Sequence, residues 1–236
     1  MKAIFLKELK SYLSGTNGIA FLSLFLFAFG FFFSKDCLLA GTNRLPAVCS
    51  DMSYALILLT PLLTVGMFPQ ERKNNTWGIM LSYPVTLTQT VLAKYFAAMA
   101  VCVACVAFTW IYALVLLIFT NVFIGEFIMN QIGLTLLLAA YVATGEAVSS
   151  FSRRRLSAAA ITVSALFIMF LVSKSSSFIS EETISGFLKL ISPYSAYAGI
   201  PSGTLRLSGA AYLIMFSALC IVITVRNVEY ERSRGI

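Results

Sequence analysis

Residues 69–86 read PQERKNNTWGIMLSYPVT, an island of polarity in an apolar chain. Glu71, Arg72 and Lys73 are consecutive, Asn74, Asn75 and Thr76 follow, and Pro84 closes the apolar stretch behind them. Long hydrophobic runs flank the island near 53–69 and 93–119. A short charged segment between two runs that can each cross a bilayer, for which about 20 helical residues suffice, reads as the loop of a membrane hairpin.

Composition agrees. The 236 residues are 59% hydrophobic and 11% charged, with a mean hydropathy of +0.88, whereas soluble domains carry roughly 25% charged residues. Six hydrophobic runs are long enough to span: about 18–34, 53–69, 93–119, 127–152, 156–174 and 207–226. The expected fold class is an all-α membrane protein in which residues 1–236 form a single transmembrane domain. Residues 2–13 (KAIFLKELKSYL) put Ile4, Phe5, Leu9, Tyr12 and Leu13 on one helical face and Lys7, Lys10 and Ser11 opposite. That pattern predicts an interfacial amphipathic helix rather than a frayed tail or a cleaved signal peptide.

Orientation follows from Lys and Arg. With the N-terminus cytoplasmic, the inner segments hold Lys2, Lys7, Lys10, Arg72, Lys73, Lys94, Arg153, Arg154, Arg155, Arg226, Arg232 and Arg234. Lys35, Arg44, Lys174, Lys189 and Arg206 remain outside. This bias sets both termini in the cytoplasm and explains the net charge of +7 without nucleic acid. The Arg153–Arg155 run is then a membrane-edge signal. Residues 69–86 become the cytoplasmic loop between spans two and three, where 76–83 is amphipathic and Pro84 starts or kinks a turn.

The outer segment 175–206 is expected to hold one or two short helices. Ser180, Glu181 and Glu182 read as a helix start, with Ile184, Phe187, Leu188 and Ile191 as an apolar face. Two arrangements fit, re-entrant helices covered by protein or helices resting on the outer surface.

Catalytic chemistry is sparse. The chain has no histidine, which excludes His-based general bases and metal sites. No G-x-x-x-x-G-K-[ST] loop is present, so nucleotide hydrolysis is not expected in this chain. Cys102, Cys105 and Cys220 lie in apolar spans and read as small buried side chains. Cys37 and Cys49 both fall in the outer loop 35–52, where a disulfide or two thiols are equally compatible with the sequence. Glu146 is the one acid inside a span, and such acids face protein or water. It lies about 10 Å of helix from Arg153, which fits an ion pair near the headgroups or a cavity-lining role. Ala139, Ala143 and Ala147, Ala93 and Ala97, and Ala100 and Ala104 recur at packing spacing. The seven phenylalanines of span one (Phe21, Phe25, Phe27, Phe29, Phe31, Phe32, Phe33) can face lipid or a partner.

The order ERKNNTWGIMLSYPVTLTQTVLAKYFAA (71–98) resembles the first inner loop of type-2 ABC transporter permeases, which read approximately E-R-x-x-G-T-x-E-x-L-L-x-x-P-V, then K-F. Glu71, Arg72, Thr76, Leu81, Pro84, Val85 and Lys94 match that pattern. KELKSYL near the N-terminus, SSF at 149–151 and ISPYSAYAGI at 191–200 match collinearly, so the resemblance covers nearly the whole chain, closest to the six-span gliding-motility subgroup. Asn75 replaces the usual glycine and Gly78 the usual glutamate, and no family role maps onto Glu146.

The resemblance implies the permease subunit of an ABC exporter in the bacterial cytoplasmic membrane, with no enzymatic activity of its own. The loop would be a coupling helix in which Glu71, Arg72, Lys73, Thr76, Trp77, Leu81 and Pro84 meet a cytosolic ATPase, the charges as rim contacts. Two such ATPases, holding ATP and Mg, would pair with this permease and a second copy or a homologue among membrane lipids. Span one, span five and the outer segment would line the passage. The alternative is a module that uses ATP-driven motion for mechanical or signalling work without cargo.

Overall fold

The computed structural model describes residues 2–39, 45–73, 86–119, 124–175, 192–199 and 207–233. Among the described residues every regular element is helical, and six helices are long and apolar enough to cross a membrane. The elements are α1 (Lys2–Ser14), α2 (Thr16–Phe33, prolonged by a π-turn over Ser34–Leu38), α3 (Leu45–Thr64), α4 (Pro69–Lys73) and α5 (Leu87–Phe108). They continue with α6 (Trp110–Phe119), α7 (Ile124–Phe151), α8 (Arg155–Ser175), α9 (Pro193–Tyr197) and α10 (Leu207–Ser233).

The centre of the bundle is α7, which packs against α3, α5, α8, α9 and α10. In its most apolar window 67% of residues are buried, against 22% in α8 and in α10. The sequence shows how α7 can take that place. Among its inward residues are several small or hydroxylic ones (Gly133, Ala140, Ala143, Gly145, Ser149, Ser150) between larger apolar ones such as Leu134, Leu137 and Tyr141, and inside lipid, where there is no hydrophobic drive, close backbone approach helps hold helices together. The closest approach is at Gly145, where a Cβ atom would overlap the Thr64 side chain of α3.

The phenylalanines of α2 divide by face. Phe21, Phe25, Phe29 and Phe33 recur every four residues and are buried inside this chain, while Phe27 and Phe31 point outward. Tyr112 of α6 covers the buried stripe, with ring centroids 5.3 Å from Phe29 and 5.1 Å from Phe33. At the α1–α2 elbow the chain turns so sharply that a Cβ on Gly18 would overlap the Tyr12 carbonyl. The expected N-terminal helix is thus present, and Leu9 and Tyr12 pack toward the core while Lys7 and Lys10 are exposed. Of the alanine pairs in α5, Ala93 and Ala97 are buried whereas Ala104 is exposed. Cys102, Cys105 and Cys220 are buried.

Two spans run differently from the hydropathy pattern. Span two begins at Leu45 and ends at Thr64, earlier than 53–69. Its polar first turns conceal the helix in the sequence. Ser50 Oγ donates to the Pro46 carbonyl, Ser53 Oγ donates to the Ser50 carbonyl at 2.5 Å, and Asp51 meets Lys35 at 2.8 Å. Cys37 and Cys49 are therefore not in a loop; one lies in the π-turn and the other in α3. Span three begins at Leu87 and breaks at Thr109. There the Thr109 hydroxyl donates to the Val106 carbonyl (2.6 Å) and accepts from the Gln131 amide (2.6 Å). The backbone tightens to i→i+3 bonds on both sides, Thr109 N to Val106 O and Tyr112 N to Thr109 O, a 3₁₀-type insertion that bends a long helix.

Candidate functional site

The first loop leaves the bundle through a short, well-tied root. Helix α3 ends at Thr64, and Met67 N donates back to the Thr64 carbonyl at 3.2 Å. Pro69 opens α4, a position that costs it no backbone bond. One turn later Arg72 projects between α7 and α10. Its Nη1 donates to the Ser152 carbonyl at 2.9 Å, and its Nη2 donates to the Ser150 carbonyl and to the Glu231 carboxylate, both at 2.6 Å.

Those two carbonyls lie at the C-terminal end of α7, where helix acceptors have no partner inside the helix and the dipole is negative. Arg72 thus caps the central helix in trans and ties it to α10 by a charge-assisted pair. Two further bonds close the junction: Phe68 N donates to Ser149 Oγ (3.4 Å), and Asn227 Nδ2 donates to Ser150 Oγ (3.1 Å). With its side chain 14% exposed, Arg72 is engaged within its own chain rather than held out at a rim.

Lys94 makes the second node. Its side chain is 1% exposed. The ammonium donates to the Met67 carbonyl at 3.0 Å and to Glu8 of α1 at 3.3 Å, and lies 5.6 Å from the Phe68 ring centroid. The loop root is therefore gripped from four sides: by α1 and α5 through Lys94, and by α7 and α10 through Arg72.

Glu146 lies one turn before Ser149 and Ser150 and is fully buried. Arg153, Arg154 and Arg155 are exposed, and neither Glu146 oxygen has a hydrogen-bond partner among the described residues. At the far end of the bundle, Cys37 and Cys49 are buried thiols close enough to interact electrostatically. Around them Tyr54, Phe170 and Tyr194 form a ring cluster with centroids 5.1–5.6 Å apart. Tyr194 Oη donates to Tyr54 Oη (2.9 Å) and Tyr197 Oη to the Cys49 carbonyl (3.0 Å). Burial pushes the Tyr197 phenol well above its usual range, so it stays a donor.

Of the expected loop residues, Arg72 is the one whose side chain is described. Glu71 and Lys73 lie on α4 by backbone, and Thr76, Trp77, Leu81 and Pro84 fall outside the described residues, as does the segment with Glu181 and Glu182. Sequence reasoning missed Glu8, Asn227 and Glu231 as functional positions. Asn227 and Glu231 stand four apart on the last helix, a spacing that puts both on one face. Among the described residues no three His, Cys, Asp or Glu side chains converge to hold a metal. The junction ties α4 to the end of α7 and to the end of α10 through one side chain.

A model of the ABC-2 family transporter protein matches residues 3–229. No curated protein matches the chain. The chain belongs to the ABC-2 transporter permease family, as a multi-pass membrane subunit that works with ATPase subunits.

Proposed function

We propose that this ABC-2 permease is an exporter subunit that converts ATP-driven closure of two cytosolic ATPases into movement of its central helix. The loop 69–86 is the coupling helix: Glu71, Lys73, Thr76, Trp77, Leu81 and Pro84 form the docking side, and Arg72 is the root that passes the displacement to α7 and α10. The observation that carries this reading is the Arg72 fork, which joins the loop to two spanning helices in three hydrogen bonds.

Further support comes from charge and surface. Lys94, Arg72 and the exposed Arg153–Arg155 run gather at one end of the bundle, which suits the cytoplasmic face of a bacterial plasma membrane protein with both termini in the cytoplasm. The outward apolar residues of α2, α8 and α10 (Phe27, Phe31, Phe167, Leu171, Met215, Leu219) suit lipid together with a second permease.

Co-purification tests the docking side. Trp77→Glu with Leu81→Glu is expected to abolish recovery of the ATPase subunit with the permease while membrane insertion persists. Undiminished recovery would overturn the assignment of 69–86 as the docking element.

A further inference from the structure

A cavity of about 320 Å³ lies at the basic end of the bundle, between the α1–α2 elbow, the end of α3, α4 and the first residue of α8. Ser11, Thr16, Asn17, Gln70 and Arg155 give it a polar wall. Among the described residues, none of these five side chains makes a hydrogen bond or an ion pair. Polar groups turned to one shared space, and not to one another, suit a polar ligand. Gly66 makes the room. A Cβ atom there would stand 3.2 Å from Asn17 Nδ2 and 3.2 Å from Gln70 Oε1, so the two amides converge over bare backbone, one offering a donor and the other an acceptor.

The charge that a ligand meets is that of Arg155. Glu8 also lines the cavity, but its carboxylate is held by the Lys94 ammonium at 3.3 Å. A guanidinium takes a phosphate by two parallel bonds. Such a phosphate can belong to a lipid or to a free ion, and two observations favour the lipid. Helix α1 has the amphipathic pattern of a helix at the bilayer surface, so a cavity against it lies among the headgroups. Apolar side chains also stand beside the cavity: Ile19, next to Gly18, is 54% exposed, and Leu156, next to Arg155, is 87% exposed. Basic pockets between spanning helices at this level take phospholipid headgroups.

We propose that this cavity binds one anionic phospholipid, with its phosphodiester on Arg155 and its headgroup hydroxyls on the Asn17 and Gln70 amides. A glycerol-type headgroup fits, because a headgroup ammonium would bring a further cation against Arg155. The bound lipid holds α1, α2, α4 and α8 to one another at the elbow. The inference needs only that the spans cross a bilayer. It stands apart from the export reading, and its test needs neither ATP nor the ATPase.

The full chain, purified in detergent, is mixed with phosphatidylglycerol, phosphatidylethanolamine and phosphatidylcholine of identical acyl chains, and retained lipid is counted by native mass spectrometry. We expect one phosphatidylglycerol to stay bound after the other two lipids are stripped. Arg155 is exposed, so Arg155→Gln keeps the fold, and retention should fall about tenfold with the loss of a charge-assisted bond. Gly66→Val fills the space between the two amides and should abolish retention. Arg154 does not line the cavity, so Arg154→Gln should leave retention unchanged, and an excess of inorganic phosphate should not displace the lipid. Equal retention of the three lipids overturns the proposal, as does undiminished retention in Arg155→Gln or in folded Gly66→Val. An equal fall in Arg154→Gln, or displacement by inorganic phosphate, overturns it too.

Discussion

At the basic end of the bundle, Arg72 and Lys94 are nearly buried cations that bond to backbone carbonyls and to acids on other helices. At the aromatic end, Tyr54, Phe170, Tyr194 and Tyr197 hold α3, α8 and α9 together by ring packing and single hydroxyl bonds. The difference concerns how strictly each end fixes geometry. Charge-assisted forks fix direction and distance, so α4 is held in a set position on α7 and α10. Rings at 5–6 Å tolerate tilt at little cost, since stacked and edge-on arrangements lie close in energy. One end is held by directed bonds and the other by less directional ring packing.

Substitutions can break or sharpen this contrast. The largest effect is expected for Lys94→Ala, which removes a buried cation from the Met67 carbonyl and from the part-buried Glu8 and should cost about 3 kcal/mol, read as a lower melting temperature of the detergent-solubilised protein. An equal loss in Lys94→Met would show that charge, not cavity formation, dominates. At the aromatic end, Tyr197→Phe removes one bond to the Cys49 carbonyl and should cost about 1 kcal/mol, which denaturant titration can resolve. A loss comparable with Lys94→Ala would erase the distinction between the two ends. The smallest effect is expected for Lys35→Ala. Its pair with Asp51 is 2.8 Å long but Lys35 is 55% exposed, so the change should be the smallest of the three and fade as salt is raised.

Much of the architecture was legible in the sequence because lipid imposes a simple rule. Spans must be long and apolar, so six runs and a basic bias suffice to define the all-helical class. The start of span two was not legible, because Ser50, Asp51 and Ser53 lower its hydropathy while satisfying themselves on their own helix or on Lys35. The break at Thr109 was invisible for a related reason: one hydroxyl bonded to Gln131 changes a helix without changing its composition. At the site, Arg72 and Lys94 stood out as loop residues, but their partners come from the opposite ends of the chain. Glu8 and Glu231 carry no local mark of their role, since it arises only when α1 and α10 meet the loop root. Glu146 was visible as an isolated acid, whereas its full burial away from solvent-exposed arginines needed three dimensions.

The most direct test of the Arg72 junction uses Arg72→Ala in the complex with the ATPase. The docking residues are untouched, so the ATPase subunit should co-purify at its normal ratio. Permease-dependent ATP hydrolysis should fall about tenfold or more, since each charge-assisted bond lost is worth roughly 1.5–3 kcal/mol and about 1.4 kcal/mol is a factor of ten. Normal co-purification with undiminished permease-dependent hydrolysis would contradict a coupling path through Arg72.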